Sequence, residues 1–197
     1  MADRYVSFSS PAVGVYAVTF SSADTDAFLT SVATVTSAAT YSASNLDGVY
    51  GNTLINSRRI TFTLKSQTGG YALSAYTITG LADDSITSQV EQVTNTDSAG
   101  GITLTSTNLF AKVVRLDFPA NTSTSGSIKV GSQEAPSPWI AGARGLYVGG
   151  AGNIKVTALD GTSATAFPVA QGHLAIAVSR VWGSADGTTA SSIIVLK

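Results

Sequence analysis

The strongest constraint in this sequence is a two-residue alternation of apolar side chains with threonine. In Ile60-Thr61-Phe62-Thr63-Leu64 three apolar side chains and two threonines alternate. Successive side chains of an extended chain point to opposite faces, so such a run has one apolar face and one hydroxyl face. Tyr71 to Thr79 continues in the same style, and Ile102-Thr103-Leu104-Thr105 and Ile128-Lys129-Val130 repeat it. Turn signals separate the runs: Thr68-Gly69-Gly70, Gly80 to Asp84, Asp97 to Gly101 and Thr122 to Gly126. Short strands at this spacing predict an all-β chain, organised as two small antiparallel β-sandwich or barrel-like domains.

The boundary between them is read at Gln133-Glu134-Ala135-Pro136-Ser137-Pro138, where two prolines disfavour both helix and central strand. Residues 1–132 then form an N-terminal β domain, 133–139 a linker and 140–197 a C-terminal β domain. The first ~55 residues are less regular. Tyr16 to Phe20 reads as a strand. Ser22-Ala23-Asp24 carries capping residue types ahead of a short helix with Phe28, Val32 and Val35 on one side, a reading that the many Thr and Val residues oppose. Ser37 to Asn45 reads as a surface loop or an extended arm. In the second domain, Gly145 to Val148 is a strand, Gly149-Gly150-Ala151-Gly152 a turn and Asn153 to Leu159 a strand reaching the hairpin dipeptide Asp160-Gly161. Three further strands follow, over Ala164 to Phe167, Leu174 to Trp182 and Ser191 to Leu196.

Charged residues make up 12% of the chain, about half the usual share of roughly 25%. Ser and Thr supply about a quarter of it, and mean hydropathy is +0.23. Such an exterior fits either a stable β protein covered in hydroxyls or a subunit largely covered by its neighbours, since interface cores are depleted in charge. With a net charge of -1 and Arg58-Arg59 as the one adjacent basic pair, nucleic acid has no electrostatic footprint here. Met1 to Tyr5 leads into no apolar signal core, and no stretch approaches the ~20 apolar residues of a membrane helix. Neither nucleic acid nor membrane is expected as a partner.

The residue types of catalysis are scarce. His173 is the single histidine and there is no cysteine, so a nucleophilic triad would have to use His173 and no soft metal site can be assembled. Its place at the start of an apolar strand points to a strand end or an interface. Asp83-Asp84 is the one adjacent acidic pair, and its turn setting suits backbone hydrogen bonding better than Ca²⁺ ligation. Gly149 to Gly152 lacks the lysine and the following helix of a phosphate loop. No catalytic residue, cofactor or metal ligand is assigned. The residues singled out as candidate interface positions are Trp139, Tyr147 and Trp182, because aromatic side chains anchor interfaces or stack on sugars.

The stretch from Ala143 to Leu196 resembles the spike-base type β module of tailed phages and gene transfer agents. The resemblance is carried by Arg144, Leu146 to Gly149, Gly150 to Asn153, Ile154 to Leu159 and Asp160-Gly161. It continues through Phe167-Pro168-Val169, Gly172, Arg180-Val181, and Asp186 to Ala190 before Ile193 to Leu196. It departs at His173-Leu174-Ala175-Ile176, where relatives commonly show a more hydrophobic run with proline. More loosely, Ile60 to Gly131 is similar to a β module common in phage virion proteins, through Arg59 to Thr63, Tyr76 to Gly80, Phe110 to Leu116 and Gly126 to Gly131. There Ala82-Asp83-Asp84-Ser85 replaces the usual Asp-Gly turn.

The resemblance implies a particle component and no catalyst: a decoration, spike-base or adaptor subunit on the phage head or collar, made in the bacterial cytoplasm and located in the virion. Its implied partners are other virion proteins and copies of itself, and analogy with phage appendages implies a trimer. Two other classes stay open: a carbohydrate-binding adhesion module with an exposed aromatic platform, and a small depolymerase with facing carboxylates. Ser192 to Leu196 is apolar on both faces, so it is expected either inside its own sheet or docked against another chain.

Overall fold

Strands account for nearly all the regular structure in the computed structural model, which describes residues 15–18, 20, 22–51, 53, 55–65, 70–137, 140 and 143–196. The chain packs into two compact units, Ser22–Gln133 and a discontinuous one made of Met1–Ser21 with Glu134–Lys197. The two units part between Gln133 and Glu134, and the Ser22–Gln133 unit does not begin at residue 1 as expected. Strand β1 (Val15–Ala17) pairs antiparallel with β16 (Ser191–Leu196), placing Val15 opposite Leu196 and Ala17 opposite Ile194. The assignment of residues 1–132 to one domain is corrected accordingly, since these main-chain bonds tie the strand to the other unit.

The Ser22–Gln133 unit has eight strands among its described residues. These are β2 (Asp24–Ala33), β3 (Ala39–Ser42), β4 (Ile60–Leu64), β5 (Ala75–Ala82), β6 (Ser88–Thr94), β7 (Ile102–Thr105), β8 (Phe110–Phe118) and β9 (Ser127–Ser132). They form two four-stranded antiparallel sheets, in the orders β2-β9-β4-β7 and β3-β8-β5-β6. That interleaving is the jelly-roll order, two Greek keys folded face to face. The alternating runs fall as periodicity dictates. Phe62 and Leu64 of one sheet face Tyr76 and Ile78 of the other, all at most 1% exposed. The Phe62, Tyr76 and Phe118 rings lie 5.3–6.0 Å apart in tilted and edge-on pairs, geometries that add to the gain from burial alone.

The residues after Ser22 form strand β2, not the short helix entertained for them. Three consecutive residues, Ala27, Phe28 and Leu29, are buried, and the register against β9 shifts twice along the strand. Those irregularities break the two-residue period and imitate a helical spacing of Phe28 and Val32. β-branched residues and threonine then decide for strand.

The second unit gathers β1, β16, β10 (Gly145–Gly150) and β14 (Gly172–Leu174) into one sheet, in the order β1-β16-β10-β14. Two two-stranded sheets pair β11 (Gly152–Ile154) with β13 (Phe167–Val169) and β12 (Val156–Ala158) with β15 (Val178–Val181). All three share one aliphatic core of Leu146, Val148, Ile154, Val156, Val178, Val181, Ile193 and Val195. β16 is flanked by β1 and β10, with Ile193 and Val195 buried in the core and Ile194 and Leu196 half-buried on the opposite face.

Two expectations for this unit change. Gly149-Gly150 continues strand β10 instead of turning, with Gly150 paired to Ser191. A Cβ on Gly149 would stand 2.7 Å from the Ser192 Cβ, and one on Gly152 would stand 2.6 Å from the Ala190 nitrogen. These glycines permit close approach of the last strand. The supposed linker is also built in where it is described. Ala135, Pro136 and Ser137 are buried, Ser137 N–H donates to Val181 O (2.8 Å), and Val181 N–H donates to Ser137 Oγ (2.9 Å). Proline here supplies extended backbone along the side of β15.

Candidate functional surfaces

Of the three aromatic residues singled out from the sequence, Trp139 lies outside the described residues. Tyr147 sits in the middle of β10, directly opposite His173 on β14 and Ile194 on β16. Cross-strand partners share a face, and Tyr147 is 40% exposed while His173 is exposed as well. The imidazole extends over Gly145, where a Cβ would meet His173 Nε2 at 2.9 Å. The result is a small, open face of one phenol, one imidazole and an aliphatic side chain.

Trp182 belongs to a different arrangement, at the end of β15. Its indole N–H donates to Thr157 Oγ1 (2.8 Å). The Lys155 ammonium lies 4.8 Å from the ring centroid and the Arg180 guanidinium carbon 5.9 Å. Asp186 pairs with Lys155 at 3.7 Å. Arg180 itself is only 4% exposed. The ring thus covers two cations, an arrangement in which the quadrupole of the indole substitutes for lost hydration. Tyr147 and Trp182 occupy separate sheets.

Several carboxylates hold backbone. Asp84 accepts from Ile86 N–H (2.9 Å) and Thr87 N–H (2.8 Å), closing the β5–β6 turn as its sequence position implies. Glu91 accepts from Thr107 N–H (2.6 Å) and Asn108 N–H (3.0 Å). Glu134 Oε2 accepts from the amide and the hydroxyl of Ser184, both at 2.6 Å. Asp47 accepts from the amide and hydroxyl of Thr30, both at 2.8 Å, and these bonds hold its carboxyl below the usual value. The Thr162 amide does the same for Asp160, and the Lys129 ammonium, 3.1 Å away, for Asp26. Among the described residues no group of three or more His, Cys, Asp or Glu side chains is placed to hold a metal ion, and no helix is long and apolar enough to cross a membrane.

One surface escaped the sequence reading. Strand β6 is the outer strand of the β3-β8-β5-β6 sheet. Ser88, Val90, Gln92 and Thr94 are exposed, Val90 at 61%. On the same outer face lie Val114 of β8 and, at the hairpin tip, Ile86, 39% and 64% exposed. In Ser88-Gln89-Val90-Glu91-Gln92-Val93-Thr94 the two valines stand three apart, one facing out and one in, so no alternation announces the strand. The signal left is the turn chemistry of Asp84 before it. No family model, curated protein or solved structure matches this chain.

Proposed function

We propose that this protein is a bacteriophage virion structural protein, a decoration, spike-base or adaptor subunit attached to the head or collar and working as a homo-oligomer. The observation that carries the reading is the ordered set of motifs from Arg144 to Leu196. Three further features support it. The jelly roll of Ser22–Gln133 is an architecture common in viral capsid proteins, though a fold alone does not assign a function. The exterior is poor in charge, as surfaces covered by neighbours are. The glutamates serve as backbone anchors within their own units. Imaging of intact particles, with the chain's density assigned, tests the proposal. Copies on the head or collar are expected, and purified infectious particles that lack the chain by mass spectrometry would overturn it.

The second reading, a carbohydrate-binding module, rests on Tyr147 exposed beside His173, since a solvent-facing ring is what a sugar face stacks upon. A Tyr147→Ala variant that keeps its place on the particle but loses adsorption to host cells would select this reading for the C-terminal unit.

A further inference from the structure

We infer that the open edge of β6 is a two-fold self-association site, through which two copies of this chain join their sheets into one of eight strands.

β5 and β6 pair from Ala75 opposite Thr94 to Leu81 opposite Ser88. One step beyond each end, Asn95 N–H donates to Ser74 O (2.9 Å) and Ala82 N–H donates to Thr87 O (2.8 Å). Hydrogen-bonded and non-bonded pairs alternate along an antiparallel ladder. Asn95, Val93, Glu91, Gln89 and Thr87 therefore aim their amides and carbonyls at β5. Ser88, Val90, Gln92 and Thr94 aim theirs at the opposite edge, where no strand of the described residues pairs with them.

This edge is less protected than the others. Natural sheets blunt their edges with short strands, bulges, lysine, proline or an inward charge. Among the described residues, β1 and β14 have three residues, β3 and β7 have four, and β2 carries two register shifts. β6 runs seven residues in regular register with no lysine or proline. Its one charge, Glu91, turns inward and is already held by the Thr107 and Asn108 amides.

The strand is complementary to itself in one register. A two-fold axis at Val90 sets Val90 against Val90, Ser88 against Gln92 and Gln89 against Glu91. An apolar pair then meets on the outer face, while Gln89 and Glu91 on the inner one keep their bonds to Leu109 O and to the Thr107 and Asn108 amides. An axis at Glu91 would oppose two carboxylates, which is destabilising, and one at Gln92 would set Glu91 against Val93. The Val90 register also lets the outward-aimed groups of Ser88, Val90 and Gln92 bond to those of the partner. The axis is two-fold, in contrast to the three-fold symmetry that analogy with phage appendages implies. The inference stands on edge geometry and is independent of the virion reading.

The test is the mass of the purified chain by sedimentation and light scattering at high micromolar concentration, with folding followed by circular dichroism. The wild-type chain is expected at twice its 20.0 kDa mass. Val90→Lys places two ammonium groups at the axis and is expected to give monomers. Val90→Pro removes only an edge-facing amide, which edge strands tolerate, and is expected to do the same. Val90→Lys mixed with Val90→Glu should restore a one-to-one pair. A monomeric wild-type chain overturns the inference, as do folded Val90→Lys and Val90→Pro variants that keep the wild-type mass. Capture of a strand from a different protein by a monomeric chain likewise overturns it.

Discussion

The two units solve the problem of a small β core by different means. The jelly roll of Ser22–Gln133 buries a set of aromatic rings between two sheets, with Phe28, Phe62, Tyr71, Tyr76 and Phe110 at most 1% exposed. Among its described residues the other unit has a buried set that is wholly aliphatic, with Phe20 and Phe167 at its margin. Its strands are mostly three or four residues long, and its compactness depends on glycine contacts and loop anchors such as Glu134 with Ser184 and Ser137 with Val181. The first unit is built on aromatic volume and the second on aliphatic packing, while both use glycines at close backbone approach, Gly80 and Gly131 in the jelly roll and Gly152 in the other. Truncation of a buried ring should therefore injure the first alone, and an added methyl group at such a glycine whichever unit holds it.

The harshest way to break that contrast is Phe62→Ala, expected to destabilise the jelly roll by about 3–5 kcal/mol, with no change in the unfolding of the other unit. Urea titration followed by hydrogen exchange reports the two separately, and equal losses in both would erase the distinction. Next comes Gly152→Ala. Its new Cβ must displace the backbone at Ala190, an overpacking expected to cost about 1–3 kcal/mol in the discontinuous unit alone. A neutral result would show that the glycine is dispensable. Glu134→Gln weakens the anion that accepts two bonds from Ser184 and should cost about 1 kcal/mol there.

A change in the opposite direction sharpens the comparison. The Tyr76 hydroxyl is buried without a hydrogen-bond partner among the described residues, and burial pushes its pKa up to about 12. Tyr76→Phe should stabilise the jelly roll by about 1 kcal/mol, because an unsatisfied buried hydroxyl retains its desolvation cost. Thermal melts that fall would mean that the hydroxyl has a partner after all.

The smallest effect is that of acid. Asp26 and Asp47 in the jelly roll and Asp160 in the other unit have carboxyl groups held below their usual value of 3.8. A depressed folded pKa contributes stability that is complete above the unfolded value and lost as pH falls through the folded one. Both units should weaken below about pH 4, and each weakening should be modest because these groups are exposed. Asp47→Asn should flatten the acid slope of the jelly roll, which a melting series in acid can read.

How far the sequence discloses this molecule depends on whether one strand face is buried and the other wet. Ile60 to Leu64 and Ile128 to Val130 are legible because the core takes one face and threonine or lysine occupies the other. β2 is obscured by its register shifts, β6 by valines on both faces. Gly149 to Gly152 misleads because a glycine needed for close approach has the same appearance as one needed for a turn. The partnership of β1 with β16 has no local signature, as nothing in Val15-Tyr16-Ala17 names a strand near the other end of the chain. Of the candidate interface positions, the exposure of Tyr147 could be anticipated from its place between inward-facing Leu146 and Val148. The stacking of Trp182 on Lys155 and Arg180 depends on three elements meeting and is invisible in one dimension.

The union of β1 with β16 gives the protein a fixed order of assembly during synthesis. Every strand of the jelly roll has left the ribosome while the partner of β1 is still untranslated. At about 5–20 residues per second the wait lasts several seconds. The inserted unit can be finished during that interval, and β1 is docked only once residues 191–196 emerge. A chain cut short in translation before residue 191 would carry a folded jelly roll and an orphaned first strand.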